Sequence, residues 1–162
     1  MIESRAGGLP LAAHESHRVV DESLFRFLVD LEVVKAQRLQ YSVAVAMLKP
    51  DLSDEAAMLA APSVLSAVVR RTRVTDTITR LPDASFAIIL VDADAADFPT
   101  ILGRIRLEVG SATEMFRTPP TWSAGAASYP KTASSSADLL RIAEELFARA
   151  RREGGNSVYV AP

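Results

Sequence analysis

Val74-Thr75-Asp76-Thr77-Ile78-Thr79-Arg80-Leu81, followed by Pro82-Asp83-Ala84 and then Ser85-Phe86-Ala87-Ile88-Ile89-Leu90-Val91, is the stretch that decides the fold. Its first part alternates β-branched and polar residues, and its last part is a continuous apolar run. The tight Leu81-Pro82-Asp83-Ala84 link between them predicts a hairpin. Upstream, Ser42-Val43-Ala44-Val45-Ala46-Met47-Leu48 is short and nearly all apolar, the pattern of a strand buried on both faces. Lys49-Pro50-Asp51 ends it. Residues 53–73 between the two predict a helix with Leu65, Val68 and Val69 inward. Pro62 is expected to open its main part, with 54–60 a separate turn.

Further out, Asp21 caps a first helix whose inward face is expected to be Leu24, Phe27, Leu28, Leu31 and Val34. Downstream, Asp97 and Pro99 start a helix with Ile101, Leu102, Ile105 and Val109 on one face, and 110–120 reads as a loop. Trp122–Ser128 is a strand. Ser135 and Ser136 precede a helix burying Leu139, Ala143, Leu146, Phe147 and Ala150, which Gly154-Gly155 stops. Ser157–Val160 is a last strand. From residue 42 the order is β-α-β-β-α-β, then α-β. That is an α/β (α+β) chain with a ferredoxin-like core, extended by one helix and one strand. Residues 1–20, with Gly7, Gly8, Pro10 and no periodic pattern, read as a flexible tail ahead of one domain over 21–162.

The composition fits one globular domain and removes several chemistries. The chain has 162 residues and a net charge of −2, with 49% hydrophobic and 23% charged residues. It has no cysteine, which excludes disulfide scaffolds, thiolate metal sites and cysteine nucleophiles. The two histidines, His14 and His17, both lie near the N-terminus, away from any core triad or metal cage. No apolar run reaches the ~18–20 residues of a membrane span, and the first residues lack a signal-peptide pattern, so a cytoplasmic protein is expected. A charge near zero gives no general attraction to nucleic acid polymers. Among the 18 basic residues arginine dominates, and arginine pairs bidentately with phosphates and base edges.

Several local motifs resemble the GGDEF family of diguanylate cyclases between about residues 24 and 160. Trp122-Ser123-Ala124-Gly125-Ala126-Ala127-Ser128-Tyr129-Pro130 is similar to the family's S-x-G-x-A strand. Leu139-Leu140-Arg141-Ile142-Ala143 and Ala150-Arg151-Arg152-Glu153-Gly154-Gly155-Asn156 resemble its closing helix and A-K-x-x-G-x-N ending. Lys35-Ala36-Gln37-Arg38 resembles the basic end of its first helix. The resemblance implies a cyclase-type palm with a mostly antiparallel central sheet.

The signature itself is replaced. Where the family places its glycines and acidic residues, this chain has Pro82-Asp83-Ala84-Ser85-Phe86, and only Phe86 agrees. The family's first metal-binding aspartate ends the first strand, here Met47-Leu48-Lys49, so Met47, Ala84 and Ser85 stand where metal ligands are expected. Asp51 and Asp83 lie nearby and read as turn residues. Arg151 stands where the family has a phosphate-contacting lysine and reads as a cation near a helix C-terminus. Two-metal phosphoryl transfer needs carboxylates to hold the cations, so no cyclase activity is expected and no cofactor is implied.

The resemblance does imply a ligand. Many members bind cyclic di-GMP at an R-x-x-D motif five residues ahead of the signature. Arg73-Val74-Thr75-Asp76 stands five residues ahead of Pro82, and Gly103-Arg104-Ile105-Arg106 matches the family's E-R-I-R-like stretch. Arg forks onto guanine O6 and N7, and a carboxylate such as Asp76 suits the N1–H and N2–H donors. Arg104 is expected on a second base or a phosphate, with Arg70 and Arg71 adding positive potential. The expectation is a non-catalytic cyclic di-GMP receptor, binding through Arg73, Asp76 and Arg104 and signalling to a protein partner. Arg70 and Arg71 would contact a symmetric neighbour in a ligand-bridged homodimer. Two readings compete with it. One is an interaction scaffold without nucleotide binding, in which Arg73–Asp76 is a surface ion pair and Arg104 a solvated helix residue. The other is an enzyme with relocated ligands.

Overall fold

The computed structural model describes residues 17–112 and 116–162. The expected tail up to Ser16, with His14, and residues 113–115 of the expected loop lie outside the described residues. The chain forms α1 (Glu22–Leu39), β1 (Val43–Pro50), α2 (Asp54–Arg71), β2 (Thr77–Arg80), β3 (Phe86–Val91), α3 (Phe98–Ala112), β4 (Trp122–Tyr129), α4 (Ser136–Arg152) and β5 (Ser157–Val160). A single 3-10 turn, Ala95–Asp97, leads into α3.

The five strands make one sheet in the order β2-β3-β1-β4-β5, antiparallel except for the β4–β5 pair. The apolar run in β1 is explained by its position, because successive side chains of a strand point to opposite faces. Ala44, Ala46 and Leu48 join Val64, Val68, Leu102 and Ile105 of α2 and α3. Val43, Val45 and Met47 join Phe25, Val29, Leu139 and Phe147 of α1 and α4. The sheet is thus covered on both faces. Gly125 in the S-x-G-x-A strand lets α4 lie directly on β4, since a Cβ there would stand 2.3 Å from the Phe147 backbone nitrogen.

The hairpin forms as read. Leu81 N–H donates to the Ser85 carbonyl at 2.9 Å and Ala84 N–H to the Leu81 carbonyl at 3.0 Å, closing a three-residue loop, Pro82-Asp83-Ala84. Such loops place their last residue in the left-handed region, and Ala84 has φ 62°. Pro82 suits the first turn position because its ring presets φ. The loop therefore keeps the geometry that glycine usually supplies.

Four boundaries or faces differ from expectation. Helix α1 buries Phe25, Val29, Val33 and Ala36, while Leu24, Phe27, Leu31 and Val34 are exposed and Leu28 is half-buried. Helix α2 runs unbroken through Pro62, which lies on its exposed side, where the carbonyl that loses its partner faces solvent. Helix α3 continues to Ala112 rather than giving way to loop at 110. The tail boundary also moves. Ile78 N–H donates to the Arg18 carbonyl at 2.8 Å and Val20 N–H to the Ile78 carbonyl at 2.9 Å. Residues 18–20 thus cover the free edge of β2, which would otherwise present unpaired backbone groups. No described helix is long and apolar enough to cross a membrane.

Candidate functional site

Two clefts contain the residues singled out by the sequence. The first, about 290 Å³, lies where the α2–β2 loop meets the start of α3, lined by Arg71, Thr72, Arg73, Asp76, Asp97, Thr100, Ile101 and Arg104. The second, about 340 Å³, lies where the end of β1 meets the end of α4, lined by Lys49, Asp51, Ser53, Arg151 and Gly155 among others.

In the first cleft the R-x-x-D spacing has a local structural cause. Asp76 N–H donates to the Arg73 carbonyl at 2.9 Å, and the Asp76 carboxylate accepts Arg73 N–H at 2.8 Å. This reciprocal clamp across three residues fixes the loop. The other carboxylate oxygen accepts Val91 N–H at 3.0 Å, tying the loop to the end of β3. Asp76 is 2% exposed, so the expectation that it reads guanine donors directly is corrected: both its oxygens are engaged by backbone amides. Burial raises its pKa above the ordinary carboxylate value, a shift opposed by the amides of Val91 and Arg73 and by the charges of Arg73 and Arg18.

Arg18 was invisible to sequence reasoning. Its buried guanidinium donates to the carbonyls of Val69 and Arg73, to Thr72 Oγ1 at 3.2 Å and, more distantly, to the Asp76 carbonyl at 3.4 Å. It thereby takes up a carbonyl in the last turn of α2 and carbonyls in the loop after it, the place where a helix leaves acceptors unsatisfied. Its partners lie 51 to 58 residues away, so no local pattern reveals it.

The arginines of this region divide into two kinds. Arg70 and Arg71 both hold Glu108 of α3, at 3.1 and 2.5 Å. They brace α2 against α3, and Arg71 also lines the first cleft. Arg73 and Arg104 are exposed, line the cleft together, and have no hydrogen-bond or ion-pair partner for their guanidinium groups among the described residues. Asp97, across the cleft, accepts Asp94 N–H at 3.1 Å in a capping box.

In the second cleft both cations meet carboxylates, and Asp51 meets neutral hydrogen-bond donors. The Lys49 ammonium, 3% exposed, lies 3.2 Å from Asp54 and 3.9 Å from Asp83, and Arg151 lies 3.2 Å from Asp83. Asp83 also accepts the backbone N–H of Ser85 at 3.0 Å, together with the Ser85 hydroxyl. Burial alone would raise the Asp83 pKa. The Ser85 hydrogen bonds and the charges of Lys49 and Arg151 outweigh it and hold the carboxyl below the ordinary value. Asp51 accepts Thr121 Oγ1 at 2.6 Å, Ser123 Oγ at 2.6 Å and Asn156 N–H at 2.7 Å. It therefore stitches the start of β4 and the turn before β5 to the end of β1, which is more than a local turn role. Gly155 makes room for it, since a Cβ there would lie 2.7 Å from Asp51 Cγ.

The sequence profile described as "Diguanylate cyclase, GGDEF domain" matches residues 29–157. The chain belongs to the GGDEF domain family. Solved GGDEF domains share the fold. The isolated domain of YfiN from Pseudomonas aeruginosa is 21% identical with TM-score 0.76, over 94% of this chain and 95% of that one. The domain of DgcB from Caulobacter crescentus, solved with c-di-GMP, is 21% identical with TM-score 0.75, over 88% of this chain and 91% of that one. The diguanylate cyclase SiaD of P. aeruginosa, solved with its activator SiaC, is 18% identical with TM-score 0.72, over 87% of this chain and 58% of that one. No curated protein matches the chain.

Membership in the GGDEF family implies divalent cations, and the second cleft does not fit them. Lys49, rather than Met47, is the β1 residue that reaches the hairpin loop, and Met47 packs between α1 and α4. Its ammonium sits where a cation would need carboxylates, while Asp51 and Asp83 are committed to protein donors. Among the described residues, no three His, Asp or Glu side chains are grouped to hold a metal ion.

Proposed function

We propose that this GGDEF domain is a receptor for cyclic di-GMP that makes none, with Arg73 and Arg104 as the contacting groups. The observation behind this reading is the pair of unpartnered guanidiniums over one cleft, in a fold where Arg70, Arg71, Lys49 and Arg151 all meet carboxylates. Arginine matches both parts of the dinucleotide, forking onto the guanine edge or onto phosphate oxygens. The cleft, about 290 Å³, is at the small end of ligand pockets, so it takes a base or a phosphate while the rest of the molecule lies over the surface. Asp76 and Arg18 act as positioning residues, holding the loop that presents Arg73.

Calorimetric titration of cyclic di-GMP tests the reading. Arg73→Ala and Arg104→Ala should each weaken binding by ~10- to 100-fold, the ~1–3 kcal/mol of a bidentate base contact. Arg73→Lys should recover only part, because a point charge cannot fork. Arg151→Ala should change nothing. Absence of heat and of a melting shift with the wild type would leave the scaffold reading. GTP turnover with Mg²⁺ or Mn²⁺ that Asp51→Asn or Asp83→Asn abolishes would show an enzyme instead.

A further inference from the structure

The outward side of α3 borders a groove of about 860 Å³, larger than either cleft, lined by Gly103, Leu107 and Gly110 of the helix and by Pro119, Pro120 and Trp122 where the chain enters β4. Leu107 is 76% exposed, although α3 already buries Phe98, Leu102, Ile105 and Val109 on its other side. A helix that adds an apolar residue opposite its core-facing stripe presents a second contact face. Gly103 and Gly110 flank Leu107 at helical spacing, four residues before it and three after. Glycine weakens a helix interior, and a Cβ at either position would meet nothing within 4 Å. Packing among the described residues therefore requires neither glycine. What the two provide is a flat strip, ~11 Å long at 1.5 Å per residue, that another chain can approach closely.

We propose that this groove docks an acidic amphipathic helix of a partner protein. The rim sets the charge of the occupant. Arg104 and Arg106 both line the groove, no carboxylate does, and neither guanidinium holds an ion pair among the described residues. Rim charges of one sign select the opposite sign in a partner. The walls set its backbone. Pro119 and Pro120 have no N–H to donate, and the Thr121 carbonyl already accepts Asp51 N–H at 2.8 Å. An extended peptide would find no ladder of hydrogen-bond partners there, whereas a helix satisfies its backbone within itself. Its apolar anchors, spaced three or four residues apart, lie along the strip with Asp or Glu to either side. Arg104 also lines the α2–α3 cleft. On the dinucleotide reading above, cyclic di-GMP takes that guanidinium from the groove, so dinucleotide and helix compete, and each weakens the other by the same factor.

Selection against the full chain from a displayed library of amphipathic helices of about five turns, with the apolar stripe fixed and the flanking positions random, tests this. Enriched helices should carry Asp or Glu at the flanking positions. A synthetic enriched helix, followed by fluorescence anisotropy, should lose affinity about tenfold on Arg106→Glu and regain it when its own facing Glu is exchanged for Lys. Gly110→Leu should fill the strip and abolish helix binding, with the melting temperature unchanged or raised and cyclic di-GMP affinity unchanged. Saturating cyclic di-GMP should weaken the helix several-fold on the wild type. Failure to enrich acidic helices overturns the proposal, and so does helix binding that ignores both Gly110→Leu and Arg106→Glu. Binding that appears only when residues 1–16 are deleted, or only in dilute protein, also overturns it, by giving the groove to the chain's own N-terminal segment or to a second copy. Cyclic di-GMP that binds without weakening the helix overturns the competition. Cyclic di-GMP that does not bind at all removes the dinucleotide reading, while the selection and the Gly110→Leu result decide the groove by themselves.

Discussion

The two clefts are built from the same residue types and differ in what the fold leaves over. At the β1–α4 cleft, Lys49 and Arg151 both reach Asp83, and Asp51 receives three protein donors. At the α2–α3 cleft, the buried Asp76 carboxylate is engaged by backbone amides, so Arg73 and Arg104 form no ion pair among the described residues. An anionic ligand entering the β1–α4 cleft must compete with a carboxylate 3.2 Å from Arg151, whereas at the α2–α3 cleft it meets two guanidiniums that hold no ion pair. Charge content therefore does not distinguish a binding cleft from a structural one. The distinction lies in which charges the protein has already neutralised.

Arg18→Ala should produce the largest break in that contrast. It removes a buried guanidinium shared among Val69, Thr72, Arg73 and Asp76 and strands carbonyls at the end of α2. Leaving several buried acceptors unsatisfied should cost ~2–4 kcal/mol, read as a lowered urea midpoint. The same change loosens the loop that carries Arg73, so cyclic di-GMP affinity should fall even under conditions where the variant is fully folded. Stability lost with affinity intact would detach Arg18 from the cleft.

Gly155→Ala should act on the other cleft alone. Gly155 has φ 78°, where a non-glycine residue costs ~1–2 kcal/mol, and its new Cβ would press on Asp51. If Asp51 gives way it loosens its bonds to Thr121, Ser123 and Asn156, so a total of ~2–3 kcal/mol is expected. Affinity for cyclic di-GMP should stay at the wild-type value. A parallel loss of affinity would mean that the two clefts are not independent.

Much of this architecture was legible because the decisive signals are local. The hairpin follows from alternation and a three-residue loop with proline in its first position. The caps at Asp21 and Ser135 follow from side chains that reach an amide three residues on. Where the signal is long-range or ambiguous, the reading failed. Helix α1 carries apolar residues on both faces, so periodicity alone could not choose between Leu24-Phe27-Leu31-Val34 and Phe25-Val29-Val33. Residues 17–20 look like tail because their order comes from the edge of β2 and from Arg18 beneath a distant loop. The R-x-x-D spacing pointed to the right cleft, but Asp76 serves the backbone there, a distinction that spacing cannot make. The ion pairs of Arg70 and Arg71 with Glu108 join α2 to α3, a pairing across 37 to 38 residues that no local pattern reveals.

The smallest expected effect concerns Asp83, and its sign follows from its neighbours. Its folded pKa is held below the ordinary ~3.9 because the Ser85 hydrogen bonds and the Lys49 and Arg151 charges prevail over burial. A carboxylate depressed in the folded state contributes stability above its unfolded pKa and loses that contribution as the pH falls through the folded value. With its side chain 43% exposed, solvent screening keeps the contribution under ~1 kcal/mol. Asp83→Asn can still accept from Ser85 through its amide oxygen but no longer answers Lys49 and Arg151. It should therefore be slightly less stable than the wild type near neutrality, and the gap should close below about pH 4. Asp76 runs the other way: burial raises its folded pKa, so it imposes a penalty near neutrality that fades as the pH falls through that raised value. The two slopes oppose each other in the wild-type acid profile, but Asp76 is common to both proteins and cancels in their difference. Urea midpoints of wild type and Asp83→Asn across the acid range thus isolate the β1–α4 cleft. A gap that widens on acidification would mean that Lys49 and Arg151 do not neutralise Asp83, and that the charges of this cleft are open to an incoming anion.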